Sequence, residues 1–133
     1  MQPHEARAQL LREHESLRVL VSDALAVAAA LRHGEAVADD LRRALDALLE
    51  AFVAHNQGEE TVLEPILREH PEVGAARVAR MFEEHVAEHA AFRAALAGDV
   101  VEVATRLDEL AEDLDAHMAA EERTFLSPGV LRP

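Results

Sequence analysis

The sequence predicts an all-α fold, an up-down-up-down antiparallel four-helix bundle. Three observations carry that expectation. Half of the 133 residues are hydrophobic, yet there are only five Gly and five Pro, too few for an all-β chain that turns at short intervals. The stretches between these breakers are rich in Ala, Leu, Glu and Arg, which favour helix. Four such stretches repeat apolar residues at three- and four-residue spacing, the period of one helix face. The length suits a single domain, residues 1–133, large enough to bury a core of its own.

The elements follow in order. The first stripe reads Leu10, His14, Leu17, Val21, Leu25, Ala28, Leu31 and is closed by His33-Gly34. The second reads Leu41, Leu45, Leu48, Phe52, His55, Glu59, Val62, Ile66 and is closed by His70-Pro71-Glu72-Val73-Gly74. The third, Val78, Phe82, His85, His89, Phe92, Leu96, ends at Gly98-Asp99. The fourth, Val103, Leu107, Leu110, Leu114, His117, Glu121, Phe125, ends at Ser127-Pro128-Gly129. Gly and Pro just past a periodic run are helix stops, and short connections make consecutive helices antiparallel neighbours.

Charge and composition exclude several functions. Thirteen basic residues, all Arg, face twenty-six acidic ones, a formal net charge of −13. Such a surface repels phosphate backbones and anionic lipid, so nucleic acid and membranes are not expected partners. There is no cysteine, hence no disulfide framework, thiolate metal site or cysteine nucleophile. Met1-Gln2-Pro3-His4-Glu5 lacks the basic start of a signal peptide. The longest apolar run, Ala24 to Leu31, has eight residues, far short of the roughly twenty that span a bilayer. A soluble, cytoplasmic protein is expected.

The informative feature is what interrupts the stripes: His14; His55 with Glu59; His85 with His89; His117 with Glu121. Residues four apart on a helix lie one above the other on the same face. Burying an unpartnered polar group costs roughly 2–7 kcal/mol, and an ionised carboxylate far more. A lone His on an apolar stripe is more often a hydrogen-bonded core residue, and an isolated His-x3-Glu more often a surface pair. Three such pairs, each in phase with its own stripe, point instead to a shared metal centre.

A comparison of heights supports one site at two of three connections. The midpoint of His14 and residue 57 falls at 35.5, beside Gly34, and that of 57 and 87 at 72, within the Pro71–Gly74 break. The midpoint of 87 and 119 is 103, not the Gly98-Asp99 breaker, which leaves residues 99–105 expected as a bent or separate turn. Glu60 and Glu122 are rotated about 100° from their stripes and are expected to face solvent. His4, His33 and His70 lie outside the stripes; His33 and His70 suit helix C-termini. Imidazoles and carboxylates without thiolate favour Fe, Mn, Zn or Cu over Ca or Mg, and seven ligands suit two ions. Two carboxylates from different helices can bridge both, leaving three imidazoles for one ion, two for the other and an open position. The ferritin-like di-iron pattern needs Glu-x-x-His, which none of the stripes contains.

These residues resemble a hemerythrin-like (HHE cation-binding) domain. The match consists of Glu13-His14-Glu15, His55-Asn56-Gln57-Gly58-Glu59, His85-Val86-Ala87-Glu88-His89 and His117-Met118-Ala119-Ala120-Glu121, in the family's order over essentially the whole chain. The acidic pairs Glu59-Glu60 and Glu121-Glu122, each followed by an apolar-Pro stretch, also resemble the family. Oxygen-carrying members place an Asp five positions after the last His, whereas Glu121 stands four after His117. The resemblance implies two iron ions, oxo- or hydroxo-bridged, with Mn or Zn as possible substitutes, held by His14, His55, Glu59, His85, His89, His117 and Glu121.

Its further implication is a binding protein for O2 or a related small oxidant at an open iron position, with a small diatomic ligand or peroxide as partner and no catalytic residue of its own. Leu17, Phe52, Val62, Phe82 and Phe92 are expected to exclude water from the centre. The alternative is a di-iron enzyme acting on peroxide or in nitrosative-stress and iron-centre repair. The bland reading is a bundle whose His and Glu hydrogen-bond one another, or hold structural zinc.

Overall fold

A computed structural model describes residues 2–63, 75–124 and 126, with the side chains of all but residues 3, 62, 63 and 75–82. It contains four helices and, among the described residues, no strand: α1 Pro3–Arg32, α2 Ala38–Gly58, α3 Ala75–Leu96 and α4 Val100–Arg123. Each helix packs on its predecessor, and α4 returns to α1, so the all-α bundle forms as the stripes require. The Pro71–Gly74 break, His70, Ile66, Phe125 and the Ser127-Pro128-Gly129 end lie outside the described residues, as do the side chains of Val62, Val78 and Phe82.

Local chemistry sets the helix ends. The Glu5 carboxylate accepts from the Gln2 backbone N–H at 2.8 Å, and Asp40 accepts from that of Val37 at 2.9 Å. Asp99 caps α4 by accepting from the N–H groups of Val101 and Glu102. These bonds satisfy donors that a helix start leaves unpaired. At the end of α1, His33 is the C-cap and Gly34 follows at φ 74°. Glu35 N–H then reaches Ala30 O at 2.8 Å and Gly34 N–H reaches Leu31 O at 3.1 Å. This reversal needs a left-handed residue, which Gly adopts without a Cβ penalty.

Two expectations are corrected. Residues 99–105 form no bend or separate turn, because α4 is one continuous helix from Val100. A Cβ placed on Gly98 would lie 3.7 Å from Val103 Cγ2, so the connection packs against the first turn of α4. The second stripe also does not continue as α-helix, since Glu59–Leu63 form a π-helical turn. The Thr61 hydroxyl donates to the Gln57 carbonyl, competing with the regular backbone bond there. Such turns are frequent at functional sites.

The apolar core lies toward the Gly34 and Gly98 connections. Leu41, Leu45, Leu48 and Phe52 of α2 meet Leu17, Ala24 and Ala28 of α1 and Val103, Leu107 and Leu114 of α4, all buried. On α1 the buried position is Ala24, whereas Leu25 is half-buried, one residue away from the expected stripe. Beyond this core, one turn along the same faces, the polar residues begin.

Candidate metal centre

The expected polar residues converge between the helices. His14, His55, Glu59, His85, His89 and Glu121 are buried, and His117 is nearly so, with 8% of its side chain exposed. Among the described residues, two groups of potential ligand atoms form, each with all its atoms within 4.8 Å of one another. The first joins His14, His55, Glu59 and Glu121; the second joins His85, His89, His117 and Glu121. Glu121 belongs to both, and Glu59 also reaches into the second group, with Oε2 2.6 Å from His85 Nε2 and 3.7 Å from His89 Nε2.

The Nε2 atoms of the two groups face inward. His55 Nε2 lies 2.8 Å from Glu59 Oε1, His117 Nε2 3.0 Å from Glu121 Oε1 and His14 Nε2 3.8 Å from both carboxylates. Proximity here does not amount to satisfaction. His14 Nε2, His55 Nε2, Glu59 Oε1 and both Glu121 oxygens are buried without an aligned hydrogen bond. Five orphaned polar atoms aimed at one volume are costly by themselves, and imidazole nitrogens with carboxylate oxygens form a donor set that suits a transition-metal cation. The residues present fit such an ion.

The electrostatics show how the side chains respond to one another. Burial would lower the His55 pKa, but the carboxylates of Glu59 and then Glu13 raise it to about 9. Burial is likewise outweighed at His85, where Glu121 and Glu59 raise it to about 10. At His89 burial prevails, reinforced by the charge of His85, and the pKa falls to about 3. Burial pushes the Glu59 carboxyl upward, yet the close approach of polar groups of Glu121, His14, His55 and His85 holds it well below its usual range. The protein alone thus sets the Glu59 carboxylate against the His55 and His85 imidazolium groups, whose protons a cation would displace.

Around these residues runs an outer ring absent from the stripe reading. Glu13 of α1 accepts from His55 Nδ1 at 2.8 Å, and Glu88 of α3 lies 2.6 Å from His117 Nδ1. Glu122 of α4 accepts from His14 Nδ1 at 3.0 Å. Asn56 of α2 places its amide 3.2 Å from His89 Nδ1. Each helix therefore supports an imidazole of the next, in the order α1 to α2 to α3 to α4 and back to α1. The solvent-facing expectation for Glu122 is overturned. Two N–H groups of Arg18 grip it at 3.0 and 3.1 Å while the same guanidinium holds Asp115 and Glu15. Burial would raise the Glu122 pKa, but Arg18 and His14 lower it. Glu60 is half-buried rather than fully exposed. His4 and His33 are exposed, away from the centre.

The signal for the ring was adjacency. Glu13, Asn56, Glu88 and Glu122 each neighbour a stripe residue in sequence, which turns them toward the adjoining helix rather than the bundle axis. The model for the Hemerythrin HHE cation binding domain matches residues 6–127.

The chain belongs to this family.

As an HHE domain it is a cation-binding bundle, and its two His/Glu groups fit the metal site that the family description names. No curated protein and no solved structure matches the chain. Among the described residues, no helix is long and apolar enough to cross a membrane.

The hydrophobic surround is partly as expected. Leu17 and Phe52 are buried and Phe92 is half-buried. Phe52 stands edge-on to His89 at 5.5 Å between ring centroids, and Phe92 to His117 at 5.8 Å. Leu126 is also buried, and its backbone N–H reaches Glu121 O at 2.9 Å while its carbonyl accepts from Arg7 at 2.6 Å.

Proposed function

We propose that this HHE domain holds two iron ions and uses them to bind O2 or a related small oxidant. The carrying observation is the pair of ligand groups that share Glu121 and are both approached by Glu59. In this reading His14 and His55 would hold one ion, His85, His89 and His117 the other, and Glu59 and Glu121 would be shared between them. Iron there supplies a redox-active Lewis acid able to take a small exogenous ligand.

The side chains supply placement and exclusion. The outer carboxylates fix each supported imidazole with Nδ1–H outward and Nε2 inward. Leu17 and Phe52 keep bulk water from the apolar side, which strengthens electrostatic interactions within. Metal analysis and a visible absorption spectrum of protein purified aerobically without chelator test the reading. Two iron ions per chain with an iron-centred visible band support it; absence of metal, or zinc alone, removes it. Turnover of H2O2 above background by the iron-loaded protein would favour the enzymatic alternative.

A further inference from the structure

Arg18 stands one helical turn beyond His14 on α1, on the same face, and meets three carboxylates at once. Its Nη2 bonds both oxygens of Glu122 at 3.0 and 3.1 Å, its Nε reaches Asp115 at 3.2 Å and its Nη1 reaches Glu15 at 2.7 Å. Glu122 and Asp115 come from α4 and Glu15 from α1, so the guanidinium is pinned between the two helices. An isolated exposed ion pair fixes little, but a planar guanidinium with all three nitrogens bonded is a network of set geometry. Among the described residues the other outer carboxylates lack this grip. Glu13 takes the Gln9 amide at 3.1 Å, and no guanidinium bonds Glu88, which is 58% exposed.

What Arg18 holds matters because of what Glu122 touches. Glu122 Oε2, 3.0 Å from Arg18, is also 3.0 Å from His14 Nδ1. The two nitrogens of an imidazole lie on different edges, so a contact fixed at Nδ1 turns Nε2 inward, where it lies 3.8 Å from Glu59 and from Glu121. His14 is the one residue that α1 contributes to the two ligand groups, whereas α2 with its π turn, α3 and α4 contribute two each. Its aim therefore depends on α4, through a Glu122 side chain that is 28% exposed and would otherwise be free to swing into water.

We propose that Arg18 is a positioning residue for the metal centre, holding Glu122 so that His14 keeps its aim at the first ligand group. This role rests on the metal-binding reading above. It predicts a sign opposite to that of simple charge. A fixed cation repels a metal ion, so by Coulomb's law alone its removal should tighten metal binding. Removing the support of a ligating imidazole should loosen it. The second effect prevails, because three carboxylates already offset the charge of Arg18 while Glu122 is the group that holds His14 Nδ1.

The test is a titration of Co(II), a probe ion with visible absorption, into metal-free protein, followed by calorimetry and absorption, with circular dichroism to verify helix content in each variant. His14→Ala identifies the binding step that His14 serves. Glu122→Ala should weaken that step by about 10–100-fold and Arg18→Gln by about tenfold, the scale on which outer partners alter metal affinity, with the other step unchanged. Because Arg18 acts through Glu122, the double variant should bind no more weakly than Glu122→Ala. A single step in wild type, abolished by His14→Ala and weakened by Arg18→Gln, would remove the second ion and keep the role of Arg18. Unchanged or tighter binding in Arg18→Gln, a loss spread equally over two steps, or losses that multiply in the double variant would overturn that role and leave the metal centre intact. A wild type that takes up no Co(II) would overturn both.

Discussion

Between Leu17 and Leu114 the helices meet through Leu, Ala, Val and Phe, whereas one turn further along the same faces they meet through five imidazoles and two carboxylates. Both regions are buried, yet they are held in different ways. The apolar region gains from every contact and needs no partner. The polar region leaves five buried atoms without aligned bonds and depends on an outer ring to keep its imidazoles in place. A fold can therefore carry an unsatisfied site if a neighbouring core stabilises the bundle independently.

The sharpest way to break this comparison is to damage one region and read the other. Leu48→Ala should cost about 2–5 kcal/mol of stability by opening a cavity while retaining two metal ions per folded chain. Glu121→Ala, which removes the carboxylate shared by both ligand groups, should leave helix content near wild type and lose both ions. Metal analysis beside chemical denaturation distinguishes the two, and loss of metal in Leu48→Ala at full helix content would contradict the separation.

A smaller effect comes from the metal itself. Because a cation would bind the folded centre and not the unfolded chain, free metal at a hundred times its Kd adds about 2.7 kcal/mol. Chelation should then lower Tm while far-ultraviolet dichroism at 25 °C changes little. Equal Tm values with and without chelator, for protein shown to contain metal, would place the site outside the core.

The pH dependence of the metal-free protein should be two-sided. His55 and His85 are raised to about 9 and 10, so their contribution is complete below the unfolded pKa of about 6.5 and is lost as pH rises through 9 and 10. His89, lowered to about 3, acts oppositely: between about 6.5 and 3 the unfolded chain binds the extra proton, and stability falls on acidification. Chelated protein should thus melt highest near pH 6.5 and progressively lower toward pH 10, and a Tm that rose steadily to pH 10 would contradict the His–carboxylate pairing. The smallest change is expected from Asp99→Ala, about 1 kcal/mol from a lost cap, with metal content unaffected.

The sites of His14, His55, Glu59, His85, His89, His117 and Glu121 were legible because a polar residue at a buried phase of a helix stands out against Leu, Val and Ala. The outer ring was not. Glu13, Glu88 and Glu122 sit one residue off the stripes and read as solvated charges, since one-helix periodicity carries no information about the adjoining helix. The π turn at Glu59–Leu63 escaped for a related reason: Thr61 competes for a backbone carbonyl, a local bond that hydrophobic spacing does not report. The continuity of α4 from Val100 was not legible because equal heights about a connection assume that paired helices end level, which hydrophobic spacing does not report.

The central claim is that two buried ligand groups sharing Glu121 hold two iron ions, and iron stoichiometry tests it most directly. Metal-free protein is titrated anaerobically with Fe(II), desalted and analysed for iron and protein, in parallel with Glu60→Gln and Glu59→Gln. Two ions per chain are expected for wild type and Glu60→Gln, with substantial loss in Glu59→Gln. One ion or none in wild type, or equal loss in both variants, would contradict the account.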